Sequence, residues 1–144
     1  MSKCNLLFKS GLLEKLTPEH YILCTECHLN ENTLYAKGVN SPSASAMIHG
    51  ALYHVAGDDV QWVLHIHQQQ LWENWEALGF LHTPKDMDIG TPDMAREIQK
   101  LYQNNGVEKV VAMLGHKGGL ITWGPNIEKL IQLYKDCLND VIAL

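Results

Sequence analysis

The sequence predicts an α/β chain bordering on α+β, with helices packed on a mixed, largely antiparallel sheet. Three observations predict it. Short β-rich runs alternate with segments of helical period along the chain. Several of those runs are joined by hairpin-type turn residues, which favours antiparallel pairing. The best-marked helix, "TPDMAREIQKLYQNNG", has Thr91 to cap it, Pro92 at its first position, Asp93 in the first turn and Gly106 to end it. At 144 residues the chain is long enough to bury a sizeable core, and one domain over 1–144 is expected.

From the N-terminus, "NLLFK" (5–9) reads as a strand closed by Ser10-Gly11, and "LLEKLTPEH" (12–20) as a connecting turn of helix. "HYILCT" (20–25) and "TLYAK" (33–37) are β-rich runs around "ECHLNEN" (26–32), whose Asn and Glu residues suit a hairpin loop. In "SPSASAMIHGALYHVAG" (41–57), Ala44, Met47, Ile48, Ala51, Leu52 and Val55 recur at helical spacing, and Gly57 can end the helix. "VQWVLHIH" (60–67) is a strand, "QQQLWENWEALG" (68–79) a helix and "FLHTPKDMDIG" (80–90) a loop. After the capped helix come strands "KVVAML" (109–114) and "GLITW" (119–123), separated by "GHKG" (115–118). From Pro125 onward, Ile127, Leu130, Ile131, Tyr134, Leu138 and Val141 make the apolar stripe of a last helix. Trp72 and Trp75, three apart at helical spacing, read as core or interface aromatics.

Composition excludes several functions. A net charge of -5 without a run of Lys or Arg gives no basic surface for nucleic acid. The longest apolar runs fall far short of the ~20 residues of a membrane-spanning helix. "MSKCNLLFKSG" lacks the apolar core of a signal peptide, so a cytoplasmic protein with Cys4, Cys24, Cys27 and Cys137 reduced is expected. "CTECH" (24–28) matches the C-x-x-C-H pattern of c-type haem attachment, but that chemistry normally needs export, and the pair continues a strand-like run.

The chemistry gathers in "VLHIH". A strand alternates its side chains, so Val60, Trp62, Leu64 and Ile66 share one face while His65 and His67 share the other. Their β-carbons stand roughly 6–7 Å apart, within reach of one ion. Two imidazoles leave a divalent ion short of ligands, since a catalytic zinc usually has three protein ligands and an open position. Among the others, His20 and His28 flank a strand on the hairpin, His49 and His54 lie on a helix, and His82 lies in a loop. His116, between two strands and among glycines that let the backbone turn sharply, is best placed to be the third.

Several motifs, in order, resemble the class II aldolase/adducin family, typified by fuculose-phosphate aldolase. "LLFKSGLLEKLTPEHYIL" is similar to that family's strand and Ser/Thr-Gly turn, and "SPSASAMIHGALY" to its Pro-Ser-Ser-Glu-x-x-x-His-x-x-x-Tyr helix start. "VLHIH" resembles its paired metal histidines, "IGTPDMAREI" its Gly-Thr helix start, and "MLGHKGGLITWGPNIEKLIQL" its third-histidine strand pair and last helix. The resemblance implies helices on both faces of the sheet in a three-layer architecture. It also implies Zn2+ or another divalent transition metal on His65, His67 and His116. A phosphate pocket would form from Ser10, Gly11 and Ser43, where a turn and a helix N-terminus aim N–H groups at an anion. The implied substrate is a small carbonyl or sugar-phosphate compound, cleaved or rearranged through an enediolate, and the implied assembly is a homo-oligomer, a tetramer in the aldolases.

The departures from the family pattern bear on the chemistry. The family's acid/base glutamate falls at Ser45, and its second phosphate-site serine at Ala44. A serine does not take a proton from carbon near neutral pH unless a second group activates it. His49, Glu73 and Asp88 are the candidate substitutes. The Gly-Asn-x-Ser segment before the first matched strand has no counterpart, and "HKGG" is longer than the usual His-Gly. Two further readings compete. One is a non-catalytic metal- or ligand-binding or assembly module that keeps the aldolase/adducin fold. The other is a cupin, disfavoured because Glu73 follows His67 at six positions and because helices abound.

Overall fold

The computed structural model describes Leu7–Phe8, Lys15 and residues 17–144. The strand expected over 5–9 is described only at Leu7–Phe8 (β1), and the turn at Ser10-Gly11 lies outside the described residues.

The strands form two sheets rather than one. The first has the order β1-β2-β3, with β2 at Tyr21–His28 and β3 at Thr33–Lys37, paired antiparallel throughout. The hairpin loop is shorter than "ECHLNEN" suggests, because Glu26, Cys27 and His28 stay in the ladder. A 3-10 turn at Leu29–Glu31 and Asn32 in the left-handed region (φ 48°) close it, a conformation asparagine tolerates. One extra residue, Thr25, bulges β2 between Cys24 and Glu26. Cys24 and Cys27, three apart, would face opposite sides of a regular strand. The bulge brings both to one side. There Cys24 is fully buried against Ala46, and the Cys27 thiol donates to Met47 Sδ at 3.2 Å.

The second sheet has the order β4-β7-β6-β5: β4 at Trp62–His67, β5 at Leu81–His82, β6 at Val111–Ala112 and β7 at Gly119–Gly124. Only β5 and β6 run parallel. β5 arises inside the stretch expected to be loop, where Leu81 N donates to Val110 O and Thr83 N to Ala112 O. β6 is shorter than the apolar run 109–114, because Met113 already opens the turn into β7, its N–H on Gly119 O.

The hairpin sheet stays separate because α1 (Ala46–Ala56) fills the space beside it. Ala46, Met47 and Ala51 of this helix receive Cys24, Cys27, Leu29 and Leu34. Its other side, through Ile48, Leu52 and Ala56, packs on Val63, Val111, Ile121 and Trp123 of the second sheet. Buried from both sides, α1 is apolar almost all round. Gly57 ends it at φ 55°, as its position in the sequence suggests.

Helices cover both faces of the second sheet. α3 (Pro92–Asn105) joins α1 on one face through Met94 and Ile98. α2 (Gln69–Glu73) and α4 (Ile127–Ile142) cover the other, where Leu71, Tyr134, Cys137 and Val141 meet Ala112 and Leu120. The helix expected over 68–79 stops at Glu73. Asn74 leaves helical geometry with its amide turned back to Gln70 O, and Phe80 N reaches Trp75 O across a run of turns. Trp72 and Trp75 pack against the α2–α4 core, and Trp72 Nε1 donates to Met113 O at 2.9 Å. Among the described residues no helix is long and apolar enough to cross a membrane.

Candidate metal centre

From Trp62 on, β4 alternates as its sequence requires, but Val60 precedes the strand and packs with Val63 in the α1–α3 core, not on the face of Leu64 and Ile66. Leu64 and Ile66 pack toward α2 and α4, and Val63 packs toward α1 and α3. His65 and His67 therefore lie on the α1 side of the sheet, at the end of the strand. The antiparallel register sets His67 opposite Gly119, the first residue of β7. The turn from β6 to β7 then delivers His116 to the same place: its N–H reaches Met113 O at 3.0 Å, and its carbonyl accepts from Gly119 N at 2.8 Å. Gly118 takes φ 76° within that turn. At Gly119 a Cβ would lie 2.5 Å from His116 Cδ2, so the missing side chain is the room in which the imidazole folds back. The longer "HKGG" spacing thus does not carry His116 away from the pair.

The three rings form a near-equilateral triangle. Their centroids are 5.0 Å apart for His65 and His67, 5.3 Å for His65 and His116, and 4.6 Å for His67 and His116. One nitrogen from each lies within 4.8 Å of the other two. With Zn–N near 2.1 Å and tetrahedral angles, three coordinated imidazoles have centroids about 5 Å apart. The centroid spacings observed are close to that value.

Chemistry and electrostatics also fit a transition ion. His65 Nε2 is buried and has no hydrogen-bond partner, a state that costs free energy unless something occupies it. Burial first, and then the neighbouring rings of His49, His67 and His116, lower the His65 pKa to about 3. Burial and then His67 lower that of His116. Neutral imidazoles are the form that binds a metal, so little proton competition opposes loading near neutral pH. His67 is exposed while His65 and His116 are half-buried, which leaves the centre open on one side. A fourth ligand from outside could enter there.

α1 brings its first turns to the same region. His49 is 8% exposed, its Nε2 also lacks a partner, and burial lowers its pKa to about 4. It acts electrostatically on His65, although its nitrogen is not one of the converging three. Ser45, one turn earlier, is buried at the N-terminus of α1, and its hydroxyl lies 2.7 Å from that of Ser43. Ala44 packs on Gly90. No Asp, Glu or Cys among the described residues joins the three histidines in a ligating group. Ser10 and Gly11 lie outside the described residues, so of the expected phosphate pocket only Ser43 is described.

Glu73 is exposed and accepts from the Gln69 amide, and Asp88 is exposed with its carbonyl accepting from Thr91. His20 takes the Thr17 N–H on Nδ1, His28 pairs with Glu26, and His82 lies against Trp75. A groove of about 380 Å³, lined by Cys27, Asn30, Ala51, His54, Arg96 and Gln99 among others, contains none of the three. The glycines around His116 read from sequence as turn formers; the room that Gly119 leaves for the His116 ring does not, because only the folded turn shows it.

No family model matches the chain, and no curated protein matches it.

Proposed function

We propose that this chain is a metal-dependent protein of the class II aldolase/adducin type, acting on a small carbonyl or sugar-phosphate compound. The convergence of His65, His67 and His116 supports this reading most. The ordered sequence resemblance supports it second. Helices on both faces of the second sheet agree with the three-layer architecture of that family. The same reading carries a cytoplasmic location, a homo-oligomeric, tetrameric assembly, and a phosphate site at Ser10, Gly11 and Ser43.

A divalent ion such as Zn2+ would supply Lewis acidity toward a carbonyl and its neighbouring hydroxyl. His65, His67 and His116 would hold the ion, and the exposed side at His67 would admit a ligand. Ser45 is poorly suited as the proton acceptor, because its hydroxyl is shared with Ser43 and takes no hydrogen bond from a basic side chain among the described residues. Of the substitutes, His49 is the one that is buried with an unengaged Nε2 and acts electrostatically on His65, but a pKa lowered to about 4 makes it a weak base.

One observation favours a second reading, a non-catalytic binding module on the same fold. No carboxylate among the described residues joins the three rings where the family carries its base. Metal analysis of the purified chain beside His65→Ala, with a retro-aldol assay on sugar phosphates under Zn2+, Mn2+ and Co2+, separates the two. Near-stoichiometric metal lost in His65→Ala, with carbonyl release, is the expected result. Bound metal without turnover selects the binding module. Equal trace metal in both proteins removes the centre altogether.

A further inference from the structure

We propose that Thr83 and Trp72 are positioning residues for His116, holding the turn that carries its ring toward His65 and His67. The inference rests on reading the three imidazoles as a metal site. Residues 113–118 lie between β6 and β7, outside both strands, so the place of His116 depends on what holds that turn. The turn is closed by the His116 N–H on Met113 O at 3.0 Å, and the same carbonyl accepts from Trp72 Nε1 at 2.9 Å. Both lone pairs of that oxygen are thereby engaged.

Thr83 grips the next residue. Its N–H donates to Ala112 O at 3.0 Å, which continues the parallel pairing of β5 with β6. A regular parallel ladder would next pass the Leu114 N–H to the Thr83 carbonyl. Here Leu114 N donates to the Thr83 hydroxyl instead, at 3.2 Å, one step past the end of β5. Thr83 is fully buried, so its hydroxyl is spent inside the protein rather than on water. Gly115 follows, with the loop after Thr83 laid against it: a Cβ there would run into Met87 O and lie 3.2 Å from Lys85 O. The three residues before His116 are therefore held in turn by α2, by the end of β5 and by the 85–87 loop. A metal ligand must be kept within about 0.5 Å of its working geometry. A ring carried on a turn is only as well placed as the turn beneath it.

The test measures Zn2+ affinity of the full chain by competition with a chromophoric chelator, beside the urea midpoint. Thr83→Val keeps the shape and loses the acceptor; it should weaken Zn2+ binding about ten-fold, while Thr83→Ser stays within about two-fold of native. Trp72→Phe, which keeps an apolar ring and loses the donor, should act in the same direction and decides the matter if Thr83→Val does not fold. Asn126→Ala removes the cap of α4, so it lowers the urea midpoint without moving Zn2+ affinity. In a His116→Ala background, Thr83→Val leaves the residual affinity unchanged, because the ligand it positions is gone. Native affinity in both variants, or an equal fold-loss with and without His116, overturns the positioning role. The metal-free chain gives a second reading, the nuclear Overhauser contact between the rings of His67 and His116, whose centroids lie 4.6 Å apart. That contact weakens in Thr83→Val and persists in Thr83→Ser. A native chain that binds no Zn2+ but shows this pattern overturns the metal reading and leaves the positioning role standing; without the pattern, both fall.

Discussion

Position 119 shows how much a missing side chain can hold in place. An alanine there would press its Cβ on His116 Cδ2 and, at 2.9 Å, on the His116 carbonyl, so ring and backbone must both shift. Gly119→Ala should weaken Zn2+ binding by at least ten-fold and cost about 1–3 kcal/mol of stability, read by chelator competition and by urea unfolding. His49 makes a second residue-level prediction. Unfolded, its imidazole takes up a proton near pH 6.5, whereas the folded chain refuses that proton until about pH 4. The stability this confers is intact above pH 6.5 and is lost as pH falls toward 4. For His49 the loss is about 3 kcal/mol in the metal-free chain. Denaturant midpoints should fall across that window, and His49→Leu should flatten the decline. The paired histidines were legible because strand alternation is local and depends only on spacing. His49 was harder to place, since only the packing of α1 on the sheet brings it within electrostatic reach of His65.

Elements with chemical punctuation at both ends matched their sequence signals. α3 starts at Pro92 with Thr91 Oγ1 accepting from Met94 N, and it stops at Gly106 with φ 77°. The same Thr91 hydroxyl donates to Asp88 O at 2.8 Å, tying the preceding loop to the helix start. Thr91→Ala should cost about 1 kcal/mol, seen as a lower urea midpoint with an unchanged slope. α4 likewise begins where the Asn126 side chain accepts from Lys129 N. α2 lacked such a stop signal, and its apolar period ran on through a series of turns to Leu78. β5 was illegible for a related reason: two residues gain strand geometry only because β6 lies beside them, and no local pattern encodes that neighbour.

At the scale of the molecule, the mixed, mostly antiparallel character was legible, and the number of sheets was not. Hydrophobic alternation says which face of a strand is buried, but not which strand it pairs with. Cys24, Cys27 and Leu34 read equally well as part of one continuous sheet, and it is α1 that they cover instead. The bulge at Thr25 that turns both thiols inward leaves no local mark either. A further prediction belongs to this scale. Stripping divalent metal with a chelator should lower the thermal midpoint by several degrees, and Zn2+ in excess of its Kd should restore it, because a ligand that binds only the folded chain stabilises it by mass action. His65→Ala should show neither change.

The meeting of His116 with the β4 pair joins two stretches separated by all of α2, β5, α3 and β6. An ion shared between them would be a cross-link, confining the intervening chain in much the way a covalent bridge closes a loop. Metal supply would then govern how long each copy of the chain survives proteolysis as well as what it does.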